Sequence, residues 1–237
     1  MSEFLFKKEE VVPCLMSGLK YYPRAKACTE TWLRDYEKFY IFGDTPDDSV
    51  PITSIPGSGE DWDSHKAKRY KGMEIALREC PDTKWFFYIA CDNFIFNRTL
   101  RDFLDYIEDQ VEPGPAYIGG HICNNEKHGP YFSGGGGYLL NREAAQILCN
   151  DVEKCINLTE SEDITTGVMM RENGAKCYYS DLFIGCNPLH GEDCHSVQSL
   201  KGAISFHWLS EKQIRYLQEV VEMKQPMRMW TRSGEMI

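Results

Sequence analysis

The chain has 237 residues, 42% hydrophobic and 26% charged, the size and balance of one ordinary globular domain. With 26 basic against 36 acidic residues its net charge is −10, which disfavours nucleic-acid binding, because a phosphate backbone demands a basic face. No apolar run approaches the roughly 18 residues of a membrane span, so no transmembrane helix is expected.

Residues 1–10 are short and charged, unlike a signal peptide, and read as an N-terminal extension. The expected compartment for the chain as it stands is the cytoplasm, with the Golgi or ER lumen as the alternative if a targeting segment has been removed. Val11 to Gly18 is an apolar run closing on glycine, a first buried strand. Arg24 to Asp35 has helical spacing through Ala27, Thr31 and Trp32, and Lys38 to Asp44 is a second strand. Thr45 to Asp63, with three prolines, reads as a loop. A helix over His65 to Cys80 then delivers the strand Lys84 to Ala90, which breaks into Cys91-Asp92-Asn93.

Thr99 to Val111 is an amphipathic helix and Ala116 to His121 a strand. After the glycine run Gly134 to Gly137, Asn141 caps a helix through Leu148. Glu160 to Asp163 precedes a helix that Asn173-Gly174 stops. Gly202 to Trp208 is a last strand, Ser210 to about Glu222 a last helix, and residues 223–237 a tail. Strands alternating with helices predict one α/β domain over residues 11–222, a Rossmann-like, mixed, mostly parallel sheet flanked by helices. Ligands of such sheets sit at the carboxyl ends of the strands, where Ser17, Asp44, Asp92 and the glycine run fall.

Four features bear chemistry, each with a plainer reading beside it. Asp92 is either a ligand for a divalent cation or a turn residue bonding its own backbone. His207 is a core histidine unless the fold sets it opposite Asp92. Glu162-Asp163 either caps a helix N-terminus or supplies a general base. Four consecutive glycines either cradle a small molecule or make a tight turn; no Gly-Lys-Ser/Thr follows, so they are not a P-loop. Of ten cysteines, Cys14, Cys28, Cys80 and Cys149 read as core, while Cys155, Cys177, Cys186 and Cys194 could pair in an oxidising compartment. The sequons at Asn97 and Asn157 matter only there.

In order, Arg24-Ala25-Lys26-Ala27 with Thr31-Trp32, Lys84-Trp85-Phe86 with Asp92-Asn93, Tyr131 to Leu140, Cys155 to Asp163, and Ser205-Phe206-His207-Trp208 resemble the motifs of fringe-like β1,3-glycosyltransferases. The core 1 β1,3-galactosyltransferase branch is the nearest, over roughly residues 11–222. The resemblance implies a GT-A fold, a UDP-sugar donor, Mn2+, and inverting transfer to a hydroxyl of a glycan or glycoprotein. It assigns metal binding to Asp92 and His207, and the base to Asp163 with Glu162 as its neighbour. Donor contacts fall to Arg24, Asp44, Lys71, Asp92, Gly135 and Gly136. One departure is plain: Ala90-Cys91-Asp92 stands where the family shows further acids, and cysteine is a softer ligand than a carboxylate. It leaves two alternatives to an ordinary transferase: a non-catalytic chaperone or sugar-binding relative, or a metal-independent enzyme in which Lys71 or Arg24 stands in for the cation.

Overall fold

The computed structural model describes residues 4–187, 189 and 202–224. Its strands and helices, in chain order, begin with β1 (Val11–Met16), α1 (Tyr22–Glu30), β2 (Tyr40–Gly43), β3 (Ile52–Ser54), α2 (Trp62–Glu79), β4 (Trp85–Ala90) and β5 (Phe94–Ile95). There follow α3 (Asn97–Ile107), β6 (Ala116–Gly119), β7 (Ile122–Asn125), β8 (Gly129–Phe132), β9 (Tyr138–Asn141) and α4 (Arg142–Cys149). The chain continues through α5 (Val152–Leu158), α6 (Glu162–Glu172), β10 (Lys176–Tyr179), β11 (Ser205–Phe206) and α7 (Glu211–Met223).

Seven strands form the central sheet in the order β10-β6-β9-β4-β1-β2-β3. All neighbours run parallel except β9, which is antiparallel to both β4 and β6. β4 sits inside the sheet and is buried on both faces, as its near-continuous apolar sequence demands. Its side chains alternate: Phe87 and Ile89 join the core under α1, α3 and α7, while Phe86 and Tyr88 join the core under α2 and α4.

The reversed direction of β9 has a consequence for the site. Tyr138, its first residue, lies opposite Tyr88 near the end of β4, so the glycine turn before β9 is delivered to the carboxyl end of β4. A second device returns the far end of the chain: β11 pairs antiparallel with β5, setting Ser205 against Ile95 and Phe206 against Phe94. His207 therefore emerges beside Asp92.

Helix ends follow local chemistry. Asn141 accepts from the Ala144 amide at 2.9 Å to cap α4, and Ser210 with Gln213 forms a capping box on α7. Gly174, at φ +68°, stops α6 in the left-handed region.

Several expectations are corrected. The 45–63 loop contains β3, an edge strand paired with β2. The Arg24–Asp35 helix ends at Glu30 and passes into a 3-10 turn at Trp32–Asp35. The last strand shortens to Ser205–Phe206. Cys155 and Cys177 carry free thiols, and Cys186 is disulfide-bonded; Cys194 lies outside the described residues. Asn97 is buried, with its side chain bonded to Tyr36, Trp32 and Asp35, so this sequon is no glycan acceptor in the folded chain.

Gly72 marks where α2 touches the sheet, since a Cβ there would stand 2.5 Å from the buried Phe42 ring. Alanine gains roughly 1 kcal/mol of helix propensity, but overpacking costs about 1–3 kcal/mol. Gly72→Ala is expected to lower the urea midpoint; a raised midpoint would show that α2 shifts freely.

Candidate functional site

At the carboxyl ends of β1 and β4 a cavity of about 360 Å3 opens, lined among others by Ser17, Tyr21, Arg24, His65, Arg69, Asp92, Gly134, Gly135, Glu162, Asp163, His207 and Trp208. A cavity of equal volume at the other end of the strands is lined by Glu10, Lys84, Arg101 and Glu108. Its charges are consumed in pairs, Arg101 with Glu10 at 2.7 Å and Lys84 with Glu108. The first cavity differs: Ser17 Oγ, Arg69 Nε and Nη1, and His207 Nδ1 are buried there without a hydrogen-bond partner among the described residues. Buried donors and acceptors left open at one place point to a ligand.

The Asp92 turn is held from three sides. The Trp32 indole N–H donates to the Asn93 carbonyl at 3.2 Å, which gives the Thr31-Trp32 pair its structural work. The Asn93 amide donates to the Gly135 carbonyl at 2.7 Å, and the Leu209 amide to the Asp92 carbonyl at 3.0 Å. The Asp92 carboxylate then faces two partners, His207 Nε2 at 3.4 Å and Arg24 Nη1 at 3.8 Å. Cys91 is buried, and burial with the neighbouring Asp92 charge pushes its thiol up to about 12, so it offers no thiolate near neutral pH.

His207 packs against the glycine turn, and a Cβ on Gly135 would meet its Nδ1 at 2.5 Å. Gly137, at φ +74°, closes the turn where a side chain would strike Phe87 and the Tyr88 carbonyl. The run is thus a tight turn whose first two members, Gly134 and Gly135, line the cavity. Gly136 instead faces Phe183 and Gly185.

Asp163 accepts from the Gly134 amide at 3.1 Å, from the Ser161 hydroxyl and from the Ile164 amide at 2.9 Å. Three donors leave lone-pair capacity on its two oxygens for a further proton. Burial and the adjacent Glu162 charge raise its pKa above the ordinary 3.8, against the pull of those donors. Glu162 is engaged otherwise: Arg69 Nη2 donates to Oε1 at 2.8 Å, and Oε2 accepts from the Asp163 amide. The Arg69 guanidinium is fully buried and lies 4.2 Å from the Tyr88 ring centre and 5.5 Å from that of Tyr138.

Arg24, Asp92, Gly135, Glu162, Asp163 and His207 come together in this cavity. Asp44 is not among the residues that line it and is held by Lys68 Nζ at 3.3 Å; burial disfavours its charge, but backbone hydrogen bonding and Lys68 outweigh that and lower its pKa. Lys71 is a correction. It lines a separate cavity with Ile55, Glu74, Cys149 and Asp151. At about 100° per residue, two positions beyond Arg69 turn a side chain roughly 200° away, so α2 offers His65, Lys68 and Arg69 inward and Lys71 outward. Arg69 was the residue that sequence reasoning passed over. It sits in Lys66-Ala67-Lys68-Arg69-Tyr70-Lys71, where four cations stand within six residues and no local signal picks this one.

Trp208 is the backbone outlier of the site, with φ +58° and 59% exposure. Left-handed backbone costs a non-glycine residue on the order of 1–2 kcal/mol. It is imposed by pinned neighbours: the His207 amide donates to the Cys186 carbonyl at 3.1 Å, and Asn187 donates to the Trp208 carbonyl at 3.0 Å.

A divalent cation would find one carboxylate and one imidazole here, Asp92 and His207, 3.4 Å apart, and would need further ligands such as the oxygens of a diphosphate. Among the described residues no group of three His, Cys, Asp or Glu side chains gathers that could hold a metal without such help. No described helix is long and apolar enough to cross a membrane.

Comparison with known proteins agrees with this architecture. A glycoprotein-N-acetylgalactosamine 3-beta-galactosyltransferase 1 from Xenopus laevis is 30% identical over 179 residues, 73% of this chain and 48% of the relative. A human beta-1,3-glucosyltransferase is 23% identical over 206 residues, 85% of this chain and 40% of the relative. The chain therefore spans less than half the length of the curated relatives it matches. Among solved structures, a glycosyltransferase involved in the glycosylation of the major capsid of PBCV-1 superposes with a TM-score of 0.54 at 16% identity, over 88% of this chain and 98% of that one. The glycosyltransferase GlyE of Streptococcus pneumoniae TIGR4 gives 0.51 at 12% identity, over 90% and 60%. Likeness at such identities shows the fold alone, here the GT-A fold. The Fringe-like family model matches residues 19–233, and on that match the chain belongs to the fringe-like glycosyltransferase family.

Proposed function

We propose that this chain is an inverting β1,3-glycosyltransferase that moves a hexose from a UDP-sugar to a hydroxyl of a glycan or glycoprotein acceptor. Galactose is the first donor sugar to try, because a 30% identical relative is a 3-beta-galactosyltransferase. The observation that carries the reading is the meeting of Asp92, His207 and Asp163 in one cavity of a fringe-like chain.

In this reading Asp163 takes the proton from the acceptor hydroxyl as its oxygen bonds to the anomeric carbon. The bond from that carbon to the UDP oxygen breaks, and its electron pair leaves on the diphosphate. Single displacement from one face inverts the anomeric configuration. Arg24 stands at the Asp92 end of the cavity, where its positive charge meets the leaving diphosphate. Asp92 and His207 would hold Mn2+, which supplies further counter-charge to the departing nucleotide. Glu162, tied to Arg69, keeps its place as the charge beside Asp163.

The Arg24–Asp92 contact favours one second reading, an enzyme that dispenses with metal because a guanidinium already sits at the carboxylate. UDP release from UDP-galactose, UDP-glucose and UDP-N-acetylglucosamine, with Mn2+ or with EDTA, separates the two. The first reading expects release with Mn2+ and a drop of at least tenfold with EDTA. Release that survives both EDTA and His207→Ala supports the metal-free enzyme. No release with any donor and no UDP binding would sink both and leave a non-catalytic relative.

A further inference from the structure

Two exposed aromatic residues border the cavity, Tyr21 and Trp208. The Tyr21 ring is already in use, with the Arg24 guanidinium 5.2 Å and the Lys20 ammonium 5.7 Å from its centre. Trp208 has no cation over its ring among the described residues, and its nearest aromatic neighbour is the adjoining His207, at 5.2 Å and tilted by 36°. An indole at 59% exposure beside a polar cavity is unfavourable in water, and its backbone conformation is one that glycine would adopt without strain. Both penalties fall on one residue, and strain of this kind gathers at functional positions.

We propose that Trp208 is the platform for a pyranose ring of the acceptor, whose apolar C–H face rests on the indole while its hydroxyl edge turns toward Asp163. The proposal rests on the glycosyltransferase reading and adds the subsite that takes the acceptor. A hexose has hydroxyls around its edge and a patch of C–H groups on one face. Recognising it takes one flat apolar surface set at an angle to a few polar groups. Trp208 meets that geometry through a short chain of contacts. It follows His207, whose ring lies against Gly135, and the neighbouring Gly134 amide donates to the Asp163 carboxylate at 3.1 Å. The Tyr21 and Arg24 side of the cavity, near Ser17 at the end of β1, is left for the nucleotide. The strain also has a use. His207 is turned to the Asp92 carboxylate and Leu209 into the core, so the residue between them is thrown outward.

The test uses the full chain with UDP and methyl glycosides of galactose, glucose and N-acetylgalactosamine as probes. Saturation-transfer NMR is expected to show magnetisation reaching the C–H protons of one sugar face in the wild type. Trp208→Ala should weaken glycoside binding, and raise the acceptor KM where turnover is measured, at least tenfold; Trp208→Phe should recover most of it. UDP affinity should stay within twofold in both. Trp208→Gly should lose glycoside binding equally, yet melt at the same temperature as wild type or a few degrees higher, because it relieves the strained backbone. The proposal is overturned if no glycoside binds the wild type, if Trp208→Ala leaves glycoside binding unchanged, or if it weakens UDP instead, which would make Trp208 the nucleobase platform. Glycoside binding that depends on Trp208 in a protein that neither binds nor releases UDP would uphold the subsite and sink the transferase reading alone.

Discussion

Asp163→Asn is expected to reduce sugar transfer by about 100- to 10,000-fold, the usual range for losing a general base, in a chain that still folds. Two observations give the signs. The carboxylate keeps room for one more proton, and burial with the Glu162 charge raises its pKa above 3.8. In the wild type, then, activity falls as pH drops through that raised pKa and the base becomes protonated. Stability runs the other way. The native state holds the Asp163 proton more tightly than the unfolded chain, so the stability this group contributes is fully present below about pH 3.8 and is lost as pH rises through the folded value. At neutral pH the ionised group carries a desolvation cost; asparagine removes the charge but turns its NH2 toward a donor from which the carboxylate accepts, so the two effects oppose each other. The check is kcat against pH for the wild type, with kcat of Asp163→Asn on a folded preparation; an active Asp163→Asn contradicts the assignment.

The second large effect concerns the pair behind the base. Arg69 is fully buried, and Glu162 is its counter-charge at 2.8 Å. Glu162→Ala would strand a buried cation between the rings of Tyr88 and Tyr138, at an expected cost of about 3–5 kcal/mol. Glu162→Gln keeps an oxygen for Arg69 and should cost much less. Removing both charges, in Glu162→Ala with Arg69→Met, should recover part of the loss, since the penalty lies in the unpaired charge rather than in a missing attraction. Urea denaturation of the four proteins measures this. A Glu162→Ala loss under about 1 kcal/mol would show that the ring faces alone hold the guanidinium.

These residues also show what the sequence could disclose. β1 and β4 were legible because strands buried on both faces carry unbroken apolar runs, and the cap at Asn141 because its chemistry is local. β3 and β10 were not, because edge strands keep half-exposed, polar-spaced residues that resemble loop. α5 passed unread for a similar reason, seven residues being too few to show a period. Asp92 and His207 taken singly were a turn residue and a core histidine. Only the β5–β11 pairing, formed late in the chain, makes them neighbours. The choice between Lys71 and Arg69 depended on helix phase to within one residue, finer than a composition of lysines and arginines can give. The motif order of the fringe-like family supplied the long-range proximity that local patterns lack.

Proton NMR of UDP-galactose mixed with an N-acetylgalactosaminide acceptor, followed in time with wild type and with Asp163→Asn, tests the account most directly. It predicts that wild type converts the α-linked donor into UDP and a β-linked product while Asp163→Asn leaves the donor intact. An α-linked product, or equal conversion by the two proteins, would contradict it.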